Sequence, residues 1–231
     1  KPSSAASDVY KRQERIRYTT SHPLDTTDDL IEVYGHVPQL VSQLHLPVQS
    51  GSNSILTRMK RNYSRELYIE VIEKHKHFRP NIKISSDFIV GFPGETDADF
   101  QQTMALIEEV KFDASFSFIY SARPGTPASK LSDATPLAEK KERLNILQNR
   151  IDELQTFYSD ALAGTIQRCL VTGISKKNIK QLQARTECNR VVNFDFQNIN
   201  ILGKLVDINI TKAYQRSLVG KILNSEELQS A

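Results

Sequence analysis

Residues 85–96 read Ser85-Ser86-Asp87-Phe88-Ile89-Val90-Gly91-Phe92-Pro93-Gly94-Glu95-Thr96. The first six of these residues belong to a nearly continuous apolar and β-branched run at residues 82–90. Such a run is typical of a strand buried on both faces of a parallel sheet. The two glycines then turn the chain, and Thr96 is a good residue to begin a helix. Because α/β folds bind ligands at the carboxyl ends of their strands, we predict a ligand-binding loop here; an ordinary strand-to-helix turn is the alternative.

The overall composition is that of a globular protein. The chain has 231 residues, enough for one large domain or two smaller ones, with 39% hydrophobic and 25% charged residues. It contains no apolar run long enough to span a bilayer and no signal-peptide pattern, so we predict a cytoplasmic protein with no membrane partner. Its two cysteines, Cys169 and Cys188, have no metal-type spacing, and we therefore predict no metal ligands in this chain.

Strand and helix patterns alternate in the first two thirds of the chain. Predicted strands cover residues 16–20, 40–48, 82–90 and 114–120, and predicted helices cover residues 25–34, 64–78, 96–110 and 135–163. Thr135 and Pro136 open the last helix as N-cap and first helical residue, and Gly164 ends it. This alternation predicts an α/β domain with a parallel sheet.

After Gly164 the pattern changes to short strands with turn residues between them. Five predicted strands cover residues 166–172, 181–186, 190–194, 204–211 and 217–223, which indicates a small all-β barrel similar in style to the OB-fold. We therefore predict a leader or junction at 1–13, an α/β domain at 14–163 and the barrel at 164–231. Residues 161–225 contain ten basic and three acidic residues, a net charge of +7. The rest of the chain therefore has a net charge of −4.

That uneven charge points to an anionic partner for the barrel. Basic residues in its loops and strand ends would neutralise phosphates without reading sequence, so we predict RNA contacts there; a merely solvated basic surface is the alternative. The predicted RNA-binding residues are Lys176, Lys177, Arg185, Arg190, Lys204, Lys212 and Arg216.

Three loops follow predicted strands in the α/β domain, at residues 49–52, 91–95 and 123–126. In a parallel barrel they would lie side by side on one rim, where their amide, hydroxyl and guanidinium groups suit a ribose, a carboxylate or an adenine edge. No Ser/His/Asp pattern stands out. His22 is a candidate functional residue, with a structural histidine as the alternative. His75 and His77 face different sides of a helix, which argues against a shared metal.

Four motifs, at residues 44–52, 85–96, 121–128 and 185–194, resemble the radical S-adenosylmethionine (SAM) methylthiotransferases, most of all those acting on N6-dimethylallyladenosine in tRNA. The resemblance implies a partial radical SAM (β/α) barrel, its last four βα units, followed by a TRAM domain that binds RNA. It also implies methylthiolation at C2 of N6-isopentenyl-adenosine beside the anticodon. A non-catalytic tRNA-binding protein, or a methylthiotransferase for threonylcarbamoyl-adenosine or a ribosomal protein, is the alternative.

The same resemblance implies the cofactors and partners. These are SAM, two [4Fe–4S] clusters in the full-length protein, an electron donor, and the anticodon stem-loop of tRNA. It places SAM contacts at Gln49, Ser50, Asp87, Val90, Phe92 and Arg123, and it assigns no catalytic residue within this chain. The family's cluster cysteines, three in a Cys-x-x-x-Cys-x-x-Cys loop and three in an amino-terminal domain, have no counterparts here. We therefore expect a carboxyl-terminal fragment that is inactive alone.

This expectation has a direct spectroscopic test. The isolated chain, reconstituted anaerobically with iron and sulfide, should bind no cluster, because thiolates are the usual cluster ligands and it lacks a suitably spaced set. A stoichiometric, iron-dependent visible absorbance that survives desalting would contradict the prediction.

Overall fold

The computed structural model describes residues 13–20, 22–176, 178–195 and 199–223. The chain divides into a first unit that ends at Leu147 and a second unit that begins at Gln148. The predicted leader lies almost wholly outside the described residues, as do Lys177 and residues 224–231 of the predicted barrel domain. The predicted domain boundary at residue 164 stays a prediction.

A parallel sheet of three strands forms the centre of the first unit. The strands are β1 (Gln43–His45), β2 (Lys83–Val90) and β3 (Ala114–Ile119), in the order β1-β2-β3. The predicted parallel α/β fold is therefore confirmed. The predicted strand at residues 16–20 is reduced to two isolated parallel bridges, Ile16 with Leu40 and Thr19 with His45.

Five helices accompany these strands in the described chain: α1 (Asp28–His36), α2 (Asn53–Arg58), α3 (Arg65–Phe78), α4 (Asp97–Val110) and α5 (Leu137–Asp160). Short 3-10 turns lie at Pro23–Asp25, Pro127–Lys130 and Ile199–Ile201. Ser64 and Thr96, the first residues of two predicted helices, act as N-caps and accept hydrogen bonds from Leu67 N–H and Asp99 N–H. Helix α2 was not predicted, although Ser52 caps it by accepting from Ile55 N–H.

The two faces of the sheet differ in chemistry because side chains alternate along a strand. Leu44, Phe88 and Val90 are buried on one face, where the ring of Phe88 lies edge-on against Phe112 with centroids 5.2 Å apart. The opposite face carries polar groups such as His45 and Asp87 beside exposed aromatic rings of β3. The open face therefore offers groups that can contact a ligand.

A buried carboxylate closes the turn that follows β2. Gly91 and Gly94 adopt φ of 67° and 77°, a region that favours glycine. Glu95, 5% exposed, accepts a hydrogen bond from Gly91 N–H at 3.0 Å and an ion-paired one from Arg143 of α5 at 2.9 Å. Burial raises the pKa of Glu95, and the bonds from Gly91 and Arg143 oppose that rise. The turn is thereby tied to the first turns of α5.

The second unit contains a closed five-stranded barrel, as predicted. Its strands are β4 (Ile166–Ile174), β5 (Gln181–Arg185), β6 (Val191–Asp195), β7 (Leu205–Tyr214) and β8 (Ser217–Ile222), joined in the order β4-β5-β6-β8-β7. Only the β6–β8 pair is parallel among its described strand pairs. The interior is filled by alternate side chains, including Val171, Leu182, Phe194, Ile208 and Leu218.

The Glu95–Arg143 pair should dominate the stability of the turn. Glu95→Ala leaves the buried Arg143 guanidinium with only the more exposed Glu139 carboxylate that it also contacts, and we expect a loss of about 3 kcal/mol in the free energy of unfolding. Glu70→Ala is the control, since Glu70 forms an exposed ion pair with Lys74 and should cost no more than about 1 kcal/mol. Urea unfolding measures both, and equal losses would contradict the prediction.

Candidate functional site

A cavity of about 710 Å³ lies at the carboxyl ends of the strands of the first unit. Of the six predicted SAM contacts, Gln49, Asp87, Phe92 and Arg123 line it, whereas Ser50 and Val90 do not. A basic segment that was not predicted, Arg58-Met59-Lys60-Arg61, also lines it. All three predicted rim loops contribute to this cavity.

Gln49 holds its loop against β2 in a strained conformation. Its φ is 72°, unusual for a residue with a side chain. Its N–H donates to the Asp87 carbonyl at 2.9 Å, and its own carbonyl accepts from Ile89 N–H at 2.9 Å. Such backbone strain persists only where surrounding contacts enforce it, and it is common at binding sites. The two hydrogen bonds are the enforcing contacts here.

The remainder of this loop packs against α4. Ser50, 1% exposed, has its hydroxyl 3.3 Å from that of Thr103, which also accepts a hydrogen bond from Gly51 N–H at 3.0 Å. A Cβ on Gly51 would lie 2.6 Å from the Gln102 carbonyl oxygen, so only glycine permits this approach. Ser50 thus positions the loop rather than lining the cavity.

Asp99 connects this loop to the start of α4. Its carboxylate accepts from the Ser52 hydroxyl at 2.6 Å and from both the N–H and the hydroxyl of Thr96, at 3.0 and 2.7 Å. Burial alone would raise the pKa of Asp99, but these hydrogen bonds outweigh burial and hold the pKa below its ordinary value. A charged Asp99 therefore joins the loop at residues 49–52 to the start of α4.

The open face of the sheet carries a cluster centred on His45. Its Nε2 lies 3.3 Å from the Asp87 carboxylate, and its Nδ1 lies 3.0 Å from the hydroxyl of Ser85, its register partner on β2. The ring of Phe116 lies 5.9 Å away, and Phe116 and Phe118 are 62% and 56% exposed. His45 and Asp87 lie on the open face because side chains alternate along their strands. The sequence analysis did not identify His45 as a candidate site residue.

The side chains of Val90 and Phe92 lie in different environments at the end of β2. Val90 is buried on the helix-covered face, 1% exposed, whereas Phe92 packs edge-on against Tyr120 with ring centroids 4.9 Å apart. Tyr120 also lines the cavity, and its hydroxyl is buried without a hydrogen-bond partner among the described residues. An orphaned hydroxyl beside aromatic rings suits a ligand that brings both a planar group and polar atoms.

The predicted RNA-binding residues fall into two groups. Lys176, Lys204, Lys212 and Arg216 are exposed on the barrel unit, with the Lys212 ammonium 4.8 Å from the ring centroid of Tyr214. Arg185 donates to the Asn189 carbonyl at 3.0 Å.

Arg190 has an internal position. It is 7% exposed and donates to the Ser159 hydroxyl at 2.9 Å and to the Gln155 carbonyl at 3.4 Å, near the end of α5. Its guanidinium is therefore occupied by contacts within the second unit, while Lys177 lies outside the described residues.

The residues described here do not suit an iron–sulfur cluster. In that part of the chain, no three His, Cys, Asp or Glu side chains come together as metal ligands. Cys169 is buried in the barrel interior, and Cys188 contacts Thr186 and Arg190. No helix within the described ranges is long and apolar enough to cross a membrane.

Comparison with protein families agrees with this architecture. Residues 4–107 match the family model of the radical SAM superfamily, and residues 160–223 match that of the TRAM domain. The chain therefore contains a radical SAM segment followed by a TRAM domain, in the order that the motifs predicted. The predicted fold is thereby confirmed. SAM and iron–sulfur clusters are the cofactors that this family implies.

Within that class the chain is similar to curated proteins named tRNA-2-methylthio-N(6)-dimethylallyladenosine synthase. It is 58% identical to the one from Haemophilus ducreyi over 93% of this chain and 45% of the relative. The relatives from Erwinia tasmaniensis and a Marinomonas species are 57% and 54% identical over 92% of this chain, and 45% and 47% of their own lengths. The chain thus spans less than half the length of these relatives.

A solved structure supports the fold alone. Coproporphyrinogen III oxidase from Escherichia coli, described as a radical SAM enzyme, superposes with a TM-score of 0.50 at 15% sequence identity. The match covers 75% of this chain and 46% of that chain.

The connection through Asp99 should make the rim sensitive to acid. A carboxyl whose pKa is lowered by folding stabilises the fold above its unfolded pKa, and this contribution is lost as the pH falls through the folded pKa. We expect wild type to lose stability between about pH 5 and pH 3, and Asp99→Asn to lack this component and to be less stable at neutral pH. Urea unfolding across this pH range measures both.

The control is Asp97→Asn, which removes an exposed carboxylate from the same helical turn. It should cost only about 0.3–1 kcal/mol, the usual size of a helix-dipole interaction. If both variants lost the same stability at neutral pH, the connecting role of Asp99 would be refuted.

Proposed function

We propose that this chain supplies the SAM-binding rim and the RNA-binding barrel of a radical SAM methylthiotransferase that acts on tRNA. The observation that carries the proposal is the 54–58% identity, over at least 92% of the chain, to relatives whose name states the product of that reaction. The proposed reaction adds a methylthio group at C2 of N6-dimethylallyladenosine beside the anticodon. The relatives' names favour this substrate over threonylcarbamoyl-adenosine or a ribosomal protein.

The cavity fits SAM by size and by chemistry. Its volume of about 710 Å³ is in the usual range for small-molecule sites. We assign Phe92 and the neighbouring Tyr120 to the adenine, Asp87 and Gln49 to the ribose hydroxyls, and Arg123 to the methionine carboxylate. A guanidinium suits a carboxylate because it donates two parallel hydrogen bonds. Bound and reductively cleaved, SAM would supply a 5′-deoxyadenosyl radical. The proposed role of the residues of this chain is to bind and orient SAM.

The second unit is proposed to hold the anticodon stem-loop. Lys176, Lys204, Lys212 and Arg216 are exposed, and their charges attract phosphates without reading bases. The excess of +7 between residues 161 and 225 supports this role. Arg185 and Arg190 contribute less, because their guanidinium groups make internal contacts. Arg216 also has an internal contact, an ion pair with Asp152 at 3.4 Å, but it remains exposed.

We propose that the remaining requirements are met by a segment corresponding to the part of the relatives that this chain does not cover. We propose that its two [4Fe–4S] clusters are bound by residues beyond those described here, and that an external electron donor reduces them. The proposed location is the cytoplasm, where tRNA is the substrate. No step of the reaction is assigned to a side chain of this chain beyond binding and orienting SAM and RNA.

A chimera tests the proposal directly. The matching segment of the Haemophilus ducreyi relative is replaced by this chain and expressed in a bacterial strain that lacks the methylthiotransferase. We expect the tRNA to regain 2-methylthio-N6-dimethylallyladenosine, measured by mass spectrometry of digested tRNA. The unaltered relative is the positive control, and an empty vector is the negative control.

The result is interpretable only when the chimera is folded and carries its clusters. A soluble chimera with a normal iron content that leaves N6-dimethylallyladenosine unmodified would refute the proposed substrate. Modification of a different adenosine in the same digest would redirect the assignment to that nucleoside.

A further inference from the structure

The cavity of the first unit has a strongly basic wall. Arg58, Lys60, Arg61 and Arg123 all line it, while Asp87 is the single acidic residue among the described residues of its lining. None of these four cations forms an ion pair with a carboxylate within the described ranges of the chain. By contrast, the partly exposed Lys74 and Lys76 of α3 are paired with Asp28 and Glu73. The distinctive feature of the rim cations is that they are grouped around one cavity.

The backbone holds Lys60 in a conformation that favours glycine. Helix α2 ends in a Schellman motif, with Lys60 N–H donating to the Thr57 carbonyl at 2.9 Å and Arg61 N–H to the Leu56 carbonyl at 2.8 Å. Lys60 occupies the left-handed position, with φ of 57°. A side chain there costs about 1–2 kcal/mol, a cost that glycine would avoid. The rim therefore places a lysine charge at a position where the backbone favours glycine.

Arg58 fixes this segment against the turn after β2. Its guanidinium donates to the Gly94 carbonyl at 2.9 Å, and a side chain on Gly94 would collide with that guanidinium. The basic segment and the Gly91–Glu95 turn therefore form one edge of the cavity. Lys60 is exposed and Arg61 is partly exposed on this edge, so both can reach a ligand that extends into solvent.

We propose that Arg58, Lys60 and Arg61, which we name the basic rim, bind RNA phosphates next to the nucleoside presented to the cavity. A nucleoside entering the cavity keeps its flanking phosphates outside, and a row of unpaired cations suits those phosphates. The basic rim is then a phosphate site of the first unit, additional to the barrel. This inference rests on the proposed function, because it takes RNA as the substrate. The same cations could instead meet the carboxylate of SAM, which the experiment separates.

The test compares two double variants of the full 231-residue chain that lose equal charge. Lys60→Gly with Arg61→Ala removes two rim cations, and Lys74→Ala with Lys76→Ala removes two ion-paired lysines of α3 that do not line the cavity. Binding of a fluorescent anticodon stem-loop RNA is measured by anisotropy over a range of salt concentrations. Binding of SAM alone is measured by calorimetry in parallel.

We expect the rim variant to bind the RNA about tenfold more weakly or worse, since two charge-assisted contacts are lost. The slope of log affinity against log salt concentration should fall in magnitude by about 1.4, because each lost contact to a single-stranded phosphate removes about 0.7. The control variant should keep the wild-type slope. Lys60→Gly alone should unfold at the same temperature as wild type or higher, because it relieves the left-handed strain. Weaker RNA binding is then not a folding defect.

Each other outcome has a defined meaning. If wild type binds no RNA even at low salt, the proposed function fails and the basic rim fails with it. Equal RNA binding by the two double variants, with wild-type binding intact, overturns the basic rim and leaves the proposed function standing. Loss of SAM affinity with unchanged RNA affinity assigns the cations to the cofactor carboxylate and also overturns the proposal.

Discussion

The buried contact between Glu95 and Arg143 is the constraint on which the site depends. The turn after β2 has two left-handed glycines and little regular hydrogen bonding of its own, so it would not hold one shape unaided. The Glu95 carboxylate bonds the Gly91 amide and is held from the other side by Arg143. Because Phe92 and the Arg58 contact with Gly94 belong to the same turn, the cavity wall takes its position from this one carboxylate.

A second set of contacts fixes the position of the neighbouring loop. Asp99 bonds Ser52 and Thr96, so the loop after β1 and the start of α4 cannot move independently. Gln49 remains left-handed because its amide and carbonyl continue the hydrogen bonding of β2. Strain of about 1–3 kcal/mol is stored where a ligand is to be contacted, and rigid strands and caps sustain it. Such a rim is preorganised, which lowers the entropic cost of binding.

Sequence reasoning succeeded where the signal is local. The apolar run of β2, the caps Ser64 and Thr96 and the alternation within β7 identify their elements without tertiary information. It failed for α2, whose six residues are too short for helical periodicity, and the basic rim was missed with it. Ser50 and Val90 lie in the right motifs, but the side of the loop or sheet that each one occupies depends on register and packing. Residues 16–20 have the composition of a strand but form only isolated bridges.

The uneven distribution of charge along the chain bears on how an RNA would bind the basic rim. Outside residues 161–225 the chain has a small net charge of −4, so it offers a polyanion little overall attraction. Against that background four unpaired cations around one cavity are attractive only locally. An RNA that met uniform positive charge would bind in many registers, whereas cations grouped at one edge favour the registers that bring phosphates to the rim. The placement of the cations thus contributes to specificity, because discrimination depends on the difference in affinity between registers.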